Sequence, residues 1–283
     1  MSDILYAPDR ERVVTSNAWA FLHWLRATRG IDLPDWAALQ RWSARDETAF
    51  RETIAAFGRL PVVPLRLARH GGQQEALVLR RANGSRLAFS RNLLHHTHTN
   101  PRLPSGERDG GTGVETMPAD VAAPLDRLWP PALLIRPLAE LLLHADLRPD
   151  DRLVVVGAAW PWLAALLEGT TVILAAASPA TLLATVAEER ATILVAPAQA
   201  LAEAAFQRAR RRPHLADLRT IVASGGPLSP EGRRRVYTWI KSDLLLLART
   251  GDTFWGNPLE PVLVQPPATP AFLTPPGPTP AIR

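Results

Sequence analysis

Two short polar segments, each placed directly after an apolar run, carry residue types that could hold a ligand. Residues 224–227, Ser-Gly-Gly-Pro, follow the β-rich run 218–223, and the two glycines permit positive φ and a close approach of the backbone. The polar stretch 249–253 follows the apolar run 244–248 in the same way. Ligands of open α/β sheets bind at the carboxyl ends of strands. The two segments together therefore predict a surface on which a flat ligand can lie.

The segment between them has the features of a helix. Ser229 followed by Pro230 is typical of an N-cap and a first helical position, and the amphipathic pattern continues to about Lys241. The predicted unit is strand, glycine turn, helix, strand and loop. Both polar segments then leave carboxyl ends of strands in one sheet.

At these residues the chain resembles a known family. The runs SGGPLSP, VYTWIKSD, TGD and GNPLEPV are similar to those of acetoacetyl-CoA synthetases, which belong to the adenylate-forming acyl-CoA ligases. The resemblance implies that Ser224, Gly225 and Gly226 line an adenine pocket. It also implies the family's reaction, in which ATP, a short carboxylic acid and CoA give an acyl-CoA through an acyl-adenylate.

The loop after the second apolar run departs further from the family pattern. By the resemblance, Asp252 helps to hold Mg²⁺ near the phosphates, and either Thr250 or Thr253 replaces the family's threonine. The family has Gly-Gly-Thr-Asp here, with a longer spacer before Gly-Asn-Pro, so both placements of the threonine stay open. The run 249–252 also resembles a later family motif whose aspartate binds the ribose, but the flanking residues favour the first placement. ATP and Mg²⁺ are the implied cofactors, with Asp252 as the candidate metal ligand.

A glycine-rich run at 110–113 is a candidate phosphate loop. By the resemblance it stands where the family has Ser-Gly-Thr-Thr-Gly-Leu-Pro-Lys, whose hydroxyls and amides hold the phosphates of ATP. Thr112 keeps one hydroxyl, but Glu115 and Thr116 replace the proline and the lysine. An anionic Glu115 would repel a triphosphate, so we expect weak nucleotide binding or none. The alternative is a degenerate linker.

Two further groups of residues leave alternatives open. His95, His96 and His98 could ligate a metal, since imidazole is a common donor, or they are simply solvated. Trp160 and Trp162 resemble a stretch that the family places near the acyl-binding side. The alternative is that the two indoles fill the start of a helix against the sheet.

Residues 8–58 predict a helical N-terminal cap. Apolar spacing favours a helix over 13–29 that Gly30 ends, then a second helix from 33–35 through Trp42. Ser43 is expected to cap a third helix that runs to about Phe57. The stretch resembles the N-terminal cap of the same family in its Pro-Asp-x-Glu-Arg, Trp-Leu-x-x-x-Arg-Gly and Arg-Trp-Ser elements.

The rest of the chain predicts an α/β fold. Asn83-Gly84 between two β-prone runs indicates a hairpin over 75–89, and helices alternate with apolar strands from residue 133 onward, as in a parallel sheet. The fold class is thus a helical N-terminal cap followed by a partial parallel-sheet domain of the adenylate-forming type. The expected divisions are a cap (1–60), a hairpin segment (61–94), a flexible linker (95–130), a partial AMP-binding-like domain (131–262) and a proline-rich disordered tail (263–283).

The amino-acid composition excludes some kinds of site and limits the candidates for a catalytic lysine. The 283 residues contain no cysteine, which excludes disulfides, thiolate metal sites and cysteine nucleophiles. Lys241 is the only lysine in a chain whose net charge is +5. By the resemblance, the family uses a lysine of a mobile C-terminal domain during adenylation, and Lys241 matches a different one. The chain offers no other candidate.

Two predictions concern location and nucleic acid. No apolar run of about 18 residues and no signal pattern appears, which favours a soluble, cytoplasmic protein without a membrane partner. The arginine runs 208–212 and 233–235 suggest nucleic-acid binding as an alternative. Successive helical positions point in different directions, however, so solvated faces are favoured.

These features together predict an internally deleted and C-terminally truncated relative of acetoacetyl-CoA synthetases. We expect a pseudoenzyme that is inactive alone and binds nucleotide or acyl-CoA weakly at most. The alternative is a non-catalytic interaction module or a truncated gene product, in which a partner protein covers apolar sheet edges that missing strands would expose.

Overall fold

The computed structural model describes residues 4–57, 68–70, 78–80, 86–89, 131–157, 165, 170–175, 178–207, 215–250 and 253–265. Within them, a helical cap packs on a mainly parallel sheet, and one continuous apolar core joins the two. No helix in this described part is long and apolar enough to cross a membrane.

The cap contains helices α1 (Arg10–Val14), α2 (Asn17–Arg29), α3 (Trp36–Arg45) and α4 (Glu47–Phe57). The single helix predicted over 13–29 is divided, because Ser16 is extended and its hydroxyl accepts the Trp19 N–H at 3.3 Å as an N-cap. Gly30 ends α2 with φ at 66°, in the left-handed conformation that favours glycine.

The predicted cap of the third helix is wrong. Ser43 lies inside α3 and is buried, where its hydroxyl donates to the Gln40 carbonyl at 2.9 Å. Helix α4 begins instead after Asp46, whose carboxylate accepts the Ala49 N–H at 3.1 Å. A carboxylate in this position complements both the open N–H groups and the helix dipole, so the chain begins the helix there.

The described residues form eleven strands. They are β1 (Ile4–Tyr6), β2 (Ala68–His70), β3 (Val78–Arg80), β4 (Arg86–Phe89), β5 (Arg152–Val156), β6 (Thr171–Ala175), β7 (Ile193–Pro197), β8 (Thr220–Ser224), β9 (Leu245–Thr250), β10 (Thr253–Trp255) and β11 (Val262–Leu263). Nine of them form one sheet in the order β10-β9-β8-β7-β5-β6-β4-β3-β2. The strands from β4 to β9 are parallel, and the outer pairs are antiparallel. The pairing of β3 with β4 agrees with the predicted hairpin.

Helices connect the central strands. Helix α5 (Pro131–Leu143) precedes β5, α6 (Leu182–Glu188) and α7 (Ala198–Gln207) flank β7, and α8 (Pro230–Arg235) follows β8. Ser229 caps α8 as predicted, since its hydroxyl accepts the Gly232 N–H at 3.1 Å. The helix predicted to reach Lys241 changes at its end into a π-helical turn, Val236–Ile240.

A buried ion-pair network holds the amino edge of the sheet. Asp146 and Asp151 are 3% and 4% exposed. Arg219, just before β8, binds both: Nη1 lies 3.2 Å from Asp146 Oδ2, and Nη2 donates to Asp151 Oδ2. Arg148 Nη2 donates to Asp146 at 2.8 Å, and the Thr192 hydroxyl donates to Asp151 at 2.7 Å. The two buried carboxylates are therefore fully engaged.

The same network attaches the cap to the sheet. The Asn17 N–H donates to Asp146 Oδ1 at 2.8 Å, and Arg12 Nη2 donates to the Arg219 carbonyl at 2.6 Å. A separate ribbon of β1 and β11 lies beside it, in which Tyr6 stacks on Tyr237 with ring centroids 6.4 Å apart. These contacts fix the first described residues against the end of the sheet domain.

Candidate functional site

The glycine turn and the end of β9 lie side by side at the carboxyl edge of the sheet. Ser224 pairs with Arg249 in the parallel ladder, and the Gly225 N–H donates to the Arg249 carbonyl at 2.9 Å. Gly225 and Gly226 have φ of 86° and 132°, values that favour glycine. The structure thus brings together four of the predicted site residues, which are Ser224, Gly225, Gly226 and Thr250.

The two glycines have different surroundings. A Cβ added to Gly226 would lie 3.3 Å from the Thr250 hydroxyl oxygen, so the absence of a side chain lets the turn pack closely on β9. A Cβ added to exposed Gly225 would meet no described atom within 4 Å. Because the Gly225 N–H is already bonded to Arg249, the turn offers an open backbone surface rather than that donor.

The other predicted site residues lie outside the described part of the chain, so their roles stay predictions. They are Thr112 of the phosphate-loop candidate, Trp160 and Trp162 on the acyl side, Asp252 as the magnesium ligand, and His95, His96 and His98. Among the described residues, no group of three or more histidine, aspartate, glutamate or cysteine side chains could hold a metal ion.

Strand β9 folds back into β10, where the sequence predicted an irregular loop over 249–253. Thr250 pairs with Thr253, and Arg249 pairs with Phe254. Only residues 251 and 252, which lie outside the described residues, separate the two strands. Phe254 is 2% exposed, and its ring lies against the His144 ring and the Arg249 guanidinium. Strand β9 is therefore longer than the predicted strand and ends at Thr250, beside the glycine turn.

A buried ion pair behind this hairpin was not predicted from the sequence. Arg249 Nη2 lies 3.3 Å from Glu140 Oε2, and the two side chains are 12% and 8% exposed. The guanidinium carbon of Arg249 also lies 5.6 Å from the ring centroid of Phe254. Two sequence features could have indicated this pair: a single glutamate in the leucine-rich run 138–143, and an arginine at the end of an apolar strand.

His144 contacts the other strand of the hairpin. Its Nδ1 donates to the Gly256 carbonyl at 2.8 Å, and its ring stacks on Phe254 with centroids 4.8 Å apart. The edge of the ring meets Trp36 of α3, again at 4.8 Å. Burial lowers the pKa of His144 to about 4, although the bond to Gly256 opposes that shift. The side chain is therefore neutral near pH 7.

The sheet also has a topological switch point at this edge. The connection after β5 leads to β6 on one side, whereas the connection after β7 leads to β8 on the other side, so the switch point lies between β5 and β7. Gly157 follows β5 with φ of 97°, and a Cβ there would lie 3.9 Å from Pro197 Cγ at the end of β7. Open α/β sheets bind ligands at such crevices. The candidate surface therefore extends from β9 to β5, which sequence reasoning missed.

Lys241 does not reach this surface. Its Nζ donates to the carbonyls of Ala216 and Leu218 at 2.9 and 2.8 Å. Both acceptors precede β8, whose five residues lead to the glycine turn. At about 3.3 Å per residue, the strand separates the ammonium group from the turn by roughly 16 Å. The lysine supports the connection into β8 at the opposite edge.

One arginine of the run 233–235 is not on a solvated face, contrary to the prediction. Arg233 is 4% exposed, its Nε donates to the Leu263 carbonyl at 2.8 Å, and burial lowers its pKa. Arg235 pairs with Glu231 and lies over the ring of Phe206. The nucleic-acid alternative thus loses one of its proposed phosphate ligands to a packing role.

Comparison with known proteins relates the chain to one kind of enzyme. No protein-family model matches it. The acetoacetyl-CoA synthetase of Rhizobium meliloti (strain 1021) is 34% identical over 148 residues, covering 46% of this chain and 23% of that protein. The match therefore spans about a quarter of the relative's length.

Solved structures relate the fold to the same enzyme. The acetoacetyl-CoA synthetase from Streptomyces lividans matches with a TM-score of 0.62 and 15% identity, over 92% of this chain and 67% of that one. The amide bond synthetase from Marinactinospora thermotolerans reaches a TM-score of only 0.38 with 18% identity, over 44% and 27% of the two chains, which supports no conclusion.

The likeness to the Streptomyces lividans structure confirms the predicted fold class, in which a helical cap precedes a mainly parallel sheet. The likeness to the Rhizobium meliloti protein lies in the amino-acid sequence itself. The motifs, the matched sequence and the fold of the chain together show that it resembles acetoacetyl-CoA synthetases.

Proposed function

We propose that this chain binds an adenine nucleotide at the Gly225–Gly226 turn, and that these 283 residues do not complete acyl-CoA ligation by themselves. The Rhizobium meliloti and Streptomyces lividans proteins named above are acetoacetyl-CoA synthetases. A short carboxylic acid and CoA are accordingly the proposed substrate class of the fold. For this chain by itself we propose only the binding of a nucleotide, not the whole ligase reaction.

The open surface over Gly225 supports nucleotide binding most directly. The turn lies at the carboxyl edge of a parallel sheet, and space is open above its backbone among the described residues. A planar purine can lie against a backbone that carries no Cβ. The Thr250 hydroxyl, packed against Gly226, would be one polar group beside that base or its ribose.

The distribution of positive charge supports the absence of catalysis. Transfer of an adenylyl group develops negative charge that cationic groups must oppose. The only lysine is committed to carbonyls at the opposite edge of the sheet, and Arg249 is paired with buried Glu140. Mg²⁺ would be held by Asp252 on the family pattern, and it would supply charge neutralisation at the phosphates.

Binding of AMP to the purified chain, measured by isothermal titration calorimetry, tests the proposal. Gly225→Ala should weaken binding by about tenfold or more, because the new Cβ occupies the space proposed for the base. The matched control is Gly30→Ala. Gly30 also has positive φ, 66°, and likewise no described atom within 4 Å of an added Cβ. Both variants carry similar backbone strain, of about 1–2 kcal/mol.

Equal affinities of the two variants would contradict the proposed position of the base, and no binding by the unmodified chain would contradict the function itself.

The second half of the proposal, that the chain alone does not complete ligation, is tested by pyrophosphate exchange with ATP, Mg²⁺ and acetoacetate. We expect no exchange above the protein-free background. Exchange that Asp252→Ala abolishes would show that the chain forms the acyl-adenylate, the first half of the ligase reaction, and would contradict the argument from charge.

An interaction module remains the second candidate, because β2 and β10 each pair on one side only among the described strands. Unpaired strand edges are sites where another chain can add. Light scattering after size-exclusion chromatography tests this reading. A concentration-independent monomer that unfolds cooperatively would count against it.

A further inference from the structure

The end of α5 faces both strands of the β9–β10 hairpin. Glu140 and His144 are four residues apart, and the His144 N–H donates to the Glu140 carbonyl at 2.9 Å, so the helical geometry extends to His144. Residues at this spacing lie on one face of a helix. One helical face thus presents a carboxylate and an imidazole to the same hairpin.

The two side chains hold different strands. Glu140 contacts the Arg249 guanidinium of β9 at 3.3 Å. His144 stacks on Phe254 of β10 and donates to the Gly256 carbonyl just beyond that strand. All four side chains involved are largely or fully buried. A buried charge pair and a buried stacked ring allow little movement of the strands that carry them.

The hairpin in turn carries one side of the proposed nucleotide site. The Arg249 carbonyl accepts the Gly225 N–H, and Thr250 packs against Gly226. A shift of the end of β9 would therefore move the Thr250 hydroxyl away from the glycine turn and loosen the turn itself. Small displacements of supporting groups cost binding sites much of their affinity.

We propose that Glu140 and His144 are positioning residues of the nucleotide site, which fix the β9–β10 hairpin so that Thr250 stays against the Gly225–Gly226 turn. This inference rests on the proposed function, since it assigns a role to residues behind the site where nucleotide binds. Neither side chain contacts the ligand in this scheme. Each acts through a residue of the hairpin, Glu140 through Arg249 and His144 through Phe254 and Gly256.

The experiment compares Glu140→Gln with Glu189→Gln. Glu189 forms an ion pair with Arg152 at 3.2 Å, at the amino edge of the sheet and away from the glycine turn. AMP affinity is measured for both variants, together with amide hydrogen exchange in β9 and β10. Glu140→Gln should weaken AMP binding by about tenfold and speed exchange in the hairpin, and Glu189→Gln should do neither.

A double variant separates positioning from general loss of stability. Glu140→Gln combined with Arg249→Gln replaces the ion pair by two amides that can still hydrogen-bond, so it should recover part of the lost affinity and of the lost protection. Unchanged affinity and exchange in Glu140→Gln would overturn the inference, as would equal losses in the Glu189→Gln control.

The two proposals can fail separately. If the unmodified chain does not bind AMP, the proposed function fails, and hydrogen exchange alone then decides whether α5 fixes the hairpin. Faster exchange confined to β9 and β10 in Glu140→Gln would support that part. If AMP binds and Gly225→Ala abolishes binding while Glu140→Gln has no effect, the nucleotide site stands and the positioning role is wrong.

Discussion

Arg219→Met is expected to lower the free energy of unfolding by about 3 kcal/mol, the largest effect of a single substitution proposed for this chain. The change removes the cation that binds both Asp146 and Asp151, each almost fully buried. A carboxylate left in the interior without its ion-pair partner keeps its desolvation cost and loses the compensating attraction. Arg148 and Thr192 still bond to the two aspartates, which places the effect at the lower end of the usual range.

Urea unfolding followed by circular dichroism measures this loss, and Arg190→Met is the control. Arg190 also pairs with an aspartate, Asp217, at 3.0 Å, but its side chain is 76% exposed. Exposed pairs of this kind contribute little, so the control should unfold at the same urea concentration as the unmodified chain. Equal midpoints for both variants would show that the buried network does not hold the amino edge of the sheet.

Acid should destabilise the protein through His144 by roughly 3 kcal/mol between pH 6.5 and 4. Burial lowers the pKa of this imidazole from 6.5 to about 4 in the folded chain. As the pH falls through this window, the unfolded chain takes up a proton that the folded chain excludes, and the unfolded state is favoured. Well above pH 6.5 the histidine is neutral in both states, and its contribution no longer changes with pH.

His144→Asn isolates this contribution, because the asparagine amide can still donate to the Gly256 carbonyl but does not titrate. We expect the variant to be less stable at pH 7, where the stacking on Phe254 is lost, and to lose less further stability down to pH 4. The measurement is the free energy of unfolding in urea at several pH values. Equal pH dependence in the two proteins would mean that the imidazole is not neutral and buried.

The sheet strands were the most predictable part of the fold. The apolar runs 152–156 and 171–175 belong to the predicted alternation of helices and strands and are β5 and β6, because strands buried on both faces read as continuous apolar segments. Helix ends were less predictable. Ser43 and Asp46 both fit a cap by composition, and only packing decides that Ser43 is buried inside α3.

The glycine turn of the candidate site could be predicted from the sequence, whereas the long-range contacts that support it could not. The glycine turn has a local signal, since Gly225 and Gly226 sit directly between a strand and a capped helix. The ion pair of Glu140 with Arg249 joins residues 109 positions apart, and no local pattern encodes such a contact. The same holds for His144, which meets Gly256 across 112 positions.

The ribbon of β1 and β11 bears on how the chain reaches its folded state. Ile4 pairs with Leu263 and Tyr6 with Val262, so β1 meets its partner strand only after residue 263 has left the ribosome. Contacts between such distant residues form slowly, because a very long loop must close first. Strand β1 therefore stays unpaired while the residues between it and β11 are translated, a period in which chaperones and proteases can reach it.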